Sequence, residues 1–171
     1  ENLAQAAAEV APIAHKGGTL PILQNILLEA KEGALKLRAT NLEIGIEVEI
    51  SADVEEEGIV AVPAAILIQT IYLITQKKVI FRVEDSTLVV EGDGSETQIK
   101  SIPHQEFPTI PKLSGKGKIL QNKFFSLGIK TAAFAASQSS IKPELGSVFI
   151  FQKKEHSLTF VATDSFRLME K

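Results

Sequence analysis

A near-duplicate within the chain limits its fold more than any other feature. Ala34-Leu-Lys-Leu-Arg-Ala-Thr-Asn-Leu-Glu-Ile returns far downstream as Ser157-Leu-Thr-Phe-Val-Ala-Thr-Asp-Ser-Phe-Arg. In both copies an alternating strand runs into Ala-Thr, then a short polar residue, Asn41 or Asp164, then a further strand. The likeness extends backwards. Leu20-Pro-Ile-Leu-Gln-Asn-Ile-Leu-Leu-Glu is answered by Lys142-Pro-Glu-Leu-Gly-Ser-Val-Phe-Ile-Phe, with about one residue of slippage at the hairpin between. A repeat on the order of a hundred residues is too long for a solenoid unit and points to duplicated domains. The two stretches should fold alike.

Hydrophobic spacing and turn residues fill in the elements. Leu3, Ala7, Val10 and Ile13 sit near helical spacing, predicting a helix over 2–14, and His15-Lys16-Gly17-Gly18 is a loop. Strands are predicted over 22–30, 34–40 and 42–51. The last alternates Leu42, Ile44, Ile46, Val48 and Ile50 against Glu43, Glu47 and Glu49, an acidic, wet face. After the Asp53-Val-Glu-Glu-Glu-Gly turn come a strand over 58–62, Pro63 opening a helix over 64–75, and strands over 79–84, 87–91 and 96–102. The order is β-α-β-β-β. Pro103, Pro108, Pro111 and Gly115 mark a linker. A second such pattern follows, with a strand over 118–120, Asn122 capping a helix over 123–136, and strands over 144–152, 157–163 and from Ser165 onward. The fold class is α+β, repeated β-α-β-β-β units with helices on one face of antiparallel sheets. Domains are expected at 1–113, with a first strand missing before Glu1, and at 114–171, half of a second domain. Both ends look cut.

Charge and composition narrow the function. A net charge of −3 argues against strong non-specific attraction of the molecule as a whole to nucleic acid, though not against a local basic face. Absence of cysteine removes disulfides, thiolate metal sites and thiol nucleophiles, and an intracellular setting fits. No apolar run is long enough to span a bilayer, so no membrane partner is expected. The three histidines, His15, His104 and His156, stand apart in loops or turns without metal-ligand or acid-base spacing. Asp164-Ser165 lacks a nucleophile elbow, and Gly92-Asp93-Gly94 lacks the Lys and helix of a phosphate loop. No catalytic residue, metal or cofactor is expected.

Two constellations carry more weight. Lys16, Lys123, Lys130 and Lys142 cluster on equivalent helix-and-loop regions of the repeat. They are either scattered solubilising lysines or one face that meets a polyanion, in which case Gln138, Ser139 and Ser140 suit contacts to phosphate oxygens. Phe166 and Leu168, pointing the same way in a strand with Arg167 opposite, are either core or the wall of an apolar groove. Leu145 of the neighbouring strand could join that groove and receive a partner peptide.

At these residues a family resemblance becomes specific. Thr19-Leu-Pro-Ile-Leu-Gln-Asn, Leu35-Lys-Leu-Arg-Ala-Thr-Asn, Glu106-Phe-Pro, Phe134-Ala-Ala-Ser and Val161-Ala-Thr-Asp-Ser-Phe-Arg-Leu together resemble the bacterial sliding clamp, the beta subunit of DNA polymerase III. The match runs end to end. The resemblance implies a homodimeric ring whose inner helices surround duplex DNA without reading sequence, tethering the replicative polymerase and conferring processivity. Short peptide motifs of the polymerase catalytic subunit and the clamp loader would be the protein partners. By the same resemblance Lys16, Lys123, Lys130, Gln138 and Lys142 are DNA-facing, and Leu145, Thr163, Ser165, Phe166, Arg167 and Leu168 belong to the partner-peptide pocket. Phe166 stands where the family often has His, and the helix over 64–75 has no Lys or Arg in its body, only Lys77 and Lys78 beyond it. The competing class is a peptide-binding or inhibitory module that reuses the fold without encircling DNA.

Overall fold

The computed structural model describes the chain except residues 1–2, 15–19, 77, 112–113, 115–116, 118, 140 and 155–156, and the side chains of residues 153–154. It divides into two compact units, Glu1–Lys112 and Leu113–Lys171.

The first unit begins with helix α1 (Leu3–Val10), whose Ala6, Ala7 and Val10 are buried. Small side chains let its backbone come close to the sheet beneath. Strands β1 (Asn25–Lys31), β2 (Ala34–Thr40), β3 (Gly45–Ser51) and β4 (Gly58–Pro63) form an antiparallel sheet in the order β3-β2-β1-β4. Helix α2 (Ala64–Leu73) leads into β5 (Ile80–Glu84), β6 (Thr87–Gly92) and β7 (Ser95–Lys100), a three-stranded sheet in sequence order. Two-residue turns close its hairpins and that of β1 and β2. Glu32-Gly33 and Asp93-Gly94 have positive φ at both positions, the backbone twist that suits a tight hairpin.

One core joins these layers. Val10 of α1, Leu67 and Ile71 of α2, Ile26 and Leu37 of the larger sheet, and Leu88, Val90 and Ile99 of the smaller one pack together. The central strands are apolar on both faces. Leu27 and Ala61 point away from that core into a second cluster with Ile22, Leu23 and Phe107. Phe107 arrives just after a 3-10 turn, His104–Glu106, and the Ala61–Ile102 bridge brings the chain leaving β7 back against β4. The outer faces are polar and paired. Arg38 contacts Glu29 at 2.9 Å and also Glu47, and Lys36 meets Glu49 at 3.1 Å. Arg82 does the same on the smaller sheet, reaching Glu91 at 2.7 Å.

The second unit packs helix α3 (Asn122–Ala133) on an antiparallel sheet of β8 (Phe149–Lys154), β9 (Ser157–Thr163) and β10 (Leu168–Glu170), ordered β10-β9-β8. Phe160 is its centre. It meets Phe125 edge to face with ring centroids 5.8 Å apart and lies against Gly128, where any Cβ would collide with the ring.

Several expectations shift. The alternation over 42–51 runs past the true start of the strand, since Leu42 at φ 76 turns the chain and β3 begins at Gly45. Residues 119–120 form no strand. Asn122 does not cap α3. The cap position is Gln121 without a side-chain bond, while the Asn122 amide oxygen accepts from the Ser126 hydroxyl at 3.0 Å. The strands expected from 22 and from 144 each start late, because a proline opens a 3-10 turn ahead of them, Pro21–Gln24 and Pro143–Gly146.

Candidate functional site

The repeat is reproduced hydrogen bond by hydrogen bond. In the first copy the Thr40 hydroxyl donates to Ile44 O at 3.0 Å and accepts the Leu42 N–H at 3.1 Å, while Asn41 Oδ1 accepts the N–H groups of Glu43 and Ile44. In the second, Thr163 donates to Arg167 O at 2.7 Å and accepts the Ser165 N–H at 3.1 Å, while Asp164 Oδ1 accepts the N–H groups of Phe166 and Arg167. The third turn residue takes φ 76 in both, Leu42 and Ser165. Even the preceding 3-10 turns are closed alike. Asn25 Nδ2 donates to Ile22 O at 3.2 Å, and the Ser147 hydroxyl, two residues before the corresponding strand, donates to Glu144 O at 3.0 Å. Only a short polar residue after Ala-Thr can bridge two following amides in this way, which explains Asn in one copy and Asp in the other.

The second turn brings most of the expected pocket residues together. Thr163 ends β9, Ser165, Phe166 and Arg167 form the turn, and Leu168 starts β10. Phe166 is therefore in the turn and not in a strand shared with Leu168, and both are open, 98% and 69% exposed. Leu145 likewise sits in the 3-10 turn Pro143–Gly146 and not on a strand. Its carbonyl accepts the Ser137 N–H at 2.8 Å, tying that turn to the chain just after α3. Arg167 is anchored to the same end of the helix: its guanidinium lies 5.3 Å from the centroid of Phe134, while its Nε donates to Asp164 Oδ2 at 2.8 Å. Asp164 is thus held below the usual carboxylate range, first by the Arg167 and Phe166 backbone N–H groups and then by the Arg167 charge. Phe134 and Asp164 are the participants that sequence reasoning passes over. The signal for Asp164 was its equivalence to Asn41.

The candidate cations divide clearly. Phe125, Gly128, Ile129 and Ala132 turn one stripe of α3 to the sheet, which leaves Lys123, Leu127, Lys130 and Phe134 on the outward one. Lys123, Lys130, Gln138 and Lys142 are all exposed. Serines shape the loop between: Ser137 Oγ accepts the Ser139 N–H and Ser139 Oγ accepts the Ile141 N–H. Lys16 and Ser140 lie outside the described residues. Among the described residues, Lys123, Lys130 and Lys142 form no ion pair, whereas Lys36, Arg38 and Arg82 of the first unit are each held by carboxylates. The whole-chain charge hides this contrast. Nine basic and seventeen acidic residues precede Leu113, and nine basic and four acidic follow from it. Helices α1 and α2 contain no Lys or Arg at all. Among the described residues no His, Asp and Glu group could hold a metal ion, and no helix is long and apolar enough to cross a membrane.

The family model for the DNA polymerase III beta subunit, N-terminal domain, matches residues 1–111. The chain belongs to that family. It is similar to the beta sliding clamp of a Synechocystis species, 31% identical over 160 residues that are 88% of this chain and 41% of the relative. The chain therefore spans about two fifths of that relative's length. The solved DNA polymerase III beta chain of Streptococcus pneumoniae superposes with a TM-score of 0.90 at 25% identity, over 98% of this chain and 47% of that one. The Helicobacter pylori beta clamp, solved bound to a DNA ligase peptide, shares the fold with a TM-score of 0.85 at 24% identity, over 98% and 48%. Within that fold the two copies of the turn are alike in hydrogen bonding, while the two units that carry them differ in charge.

Proposed function

We propose that this chain serves in a sliding clamp that holds the replicative polymerase on duplex DNA. The observation that carries this reading is the outward stripe of α3 and the loop after it, where Lys123, Lys130 and Lys142 stand exposed without carboxylate partners among the described residues. Cations already neutralised within a sheet release no counterions from DNA, whereas unpaired ones do. Long, mobile ammonium groups attract phosphate without the fixed forks that read base edges, so every register along the duplex is nearly equal in energy and the protein slides. Encirclement, and not tight contact, supplies retention. No bond is made or broken. The second Ala-Thr-Asp turn is the partner site: Phe166 and Leu168 offer exposed apolar surface, and Arg167, fixed by Asp164 and Phe134, offers a cation to a peptide's polar or acidic group. Those peptides belong to the polymerase catalytic subunit and the clamp loader, and the ring is a homodimer in the cytoplasm.

The test is retention of the beta subunit that contains this sequence, loaded on a closed circular plasmid and passed over a sizing column in high salt. Release when the plasmid is linearised is the expected result. Retention that linearising leaves unchanged would contradict encirclement and favour a peptide-binding module of the same fold.

A further inference from the structure

We propose a second peptide-binding cleft, in the first unit, built on the first copy of the Ala-Thr-Asx turn and taking a short peptide that presents a branched aliphatic side chain beside a Lys or Arg. The inference rests on the reading above that the second copy of the turn takes a peptide. Its own ground is a cavity of about 240 Å³ lined by Thr40, Leu42, Glu43, Gly45 and residues 108–111. The turn that builds it is the one whose hydrogen bonds match those around Thr163 and Asp164. Its far wall is the proline-rich segment after Phe107. Gly45 lets that wall approach, because a Cβ there would meet Ile110 Cγ2 at 2.9 Å.

The lining argues for the occupant. Leu42, which lines it, is 62% exposed, an apolar side chain held out on a turn whose backbone is fixed by the Thr40 and Asn41 hydrogen bonds. Leu42 does so at φ 76, where glycine would be easier, so the turn keeps a bulky apolar group at a conformational cost. Pro108, Ile110 and Pro111 complete an apolar lining, and the volume lies below the range of ordinary small-molecule pockets, which suits one or two side chains. Among the described residues Glu43 is the one charged residue that lines the cavity, in a unit where acidic residues outnumber basic ones almost two to one. A cationic flank on the peptide is favoured over an anionic one.

The test is a titration of the isotopically labelled chain with N-acetyl-leucyl-arginine amide, followed residue by residue in amide NMR spectra. Saturable shifts are expected at Leu42, Glu43, Gly45 and Ile110. Leu42→Gly should abolish them without lowering the melting temperature, since glycine accepts the turn's backbone but removes the lining. Glu43→Gln should weaken binding at least threefold, and N-acetyl-leucyl-glutamate amide should give no shifts there. Absence of saturable shifts in the wild-type chain, or shifts that persist in Leu42→Gly, would overturn the cleft. Amides of Thr163, Ser165 and Phe166 report separately: shifts confined to them overturn the cleft and leave the proposed function standing, and shifts confined to the first turn support the cleft and leave the second pocket, whose Arg167 favours an acidic peptide group, standing as well.

Discussion

Thr40 and Thr163 each hold a turn through one hydroxyl that donates to a carbonyl and accepts an amide. Thr40 is buried, so replacing it with valine keeps the shape, strands the Leu42 N–H and leaves Ile44 O with the Asn41 N–H alone. Thr40→Val should cost about 1–3 kcal/mol in urea denaturation. Asp164 adds a pH dependence that Asn41 cannot. Its carboxylate has a lowered pKa in the folded chain, so its stabilising effect is complete above the ordinary carboxylate range near ~3.9 and is lost as pH falls through that range towards the folded value. Asp93 behaves in the same direction, its carboxylate accepting the Thr75 N–H and hydroxyl and the Gln76 N–H. Urea melts between pH 2 and 6 should therefore show a shallower acid limb for Asp164→Asn, not a flat one, with the turn intact at neutral pH. An unchanged limb would remove Asp164 from this account. At this scale the sequence was only half legible. Ala-Thr followed by Asn or Asp marked the repeat, but Leu42 and Ile44 continue the alternation of β3, and nothing in hydrophobic spacing reports the positive φ at Leu42 that turns the chain there.

Elements were legible where hydrophobic spacing and turn chemistry agree, as in the Glu32-Gly33 and Asp93-Gly94 hairpins. They were misjudged where a proline starts a single 3-10 turn inside an apolar run, because Ile22 and Leu23 are buried whichever backbone they adopt. Helices α2 and α3 diverge in a way that matters for function. In α2, Leu67 is wholly buried between the sheets, and Leu67→Ala should cost about 2–5 kcal/mol by calorimetry. In α3, Gly128 sets the distance to the sheet. Gly128→Ala should push the helix off Phe160, costing about 1–3 kcal/mol and shifting the Phe125 and Phe160 ring signals in NMR. If those signals stay in place, the close approach at Gly128 does not hold α3.

For the whole molecule, family and fold were readable because the repeat, its spacing and its turn residues are carried by sequence. The division of charge was readable too, but only by counting each half, since the net −3 is the sum of an acidic unit and a basic one. The cleft beside Gly45 was not, because the contact of residues 108–111 with the turn is made by folding and not by any local pattern. The central claim is that the exposed lysines of α3, and not the ion-paired cations of the first unit, meet duplex DNA without regard to sequence. Fluorescence anisotropy with two unrelated duplexes across a salt series tests it most directly. The two duplexes should bind equally, Lys123→Gln and Lys130→Gln should each lower the slope of log K against log salt by about 0.9, and Lys36→Gln should leave it unchanged. A slope that ignores the α3 lysines, or falls as far with Lys36→Gln, would contradict the account.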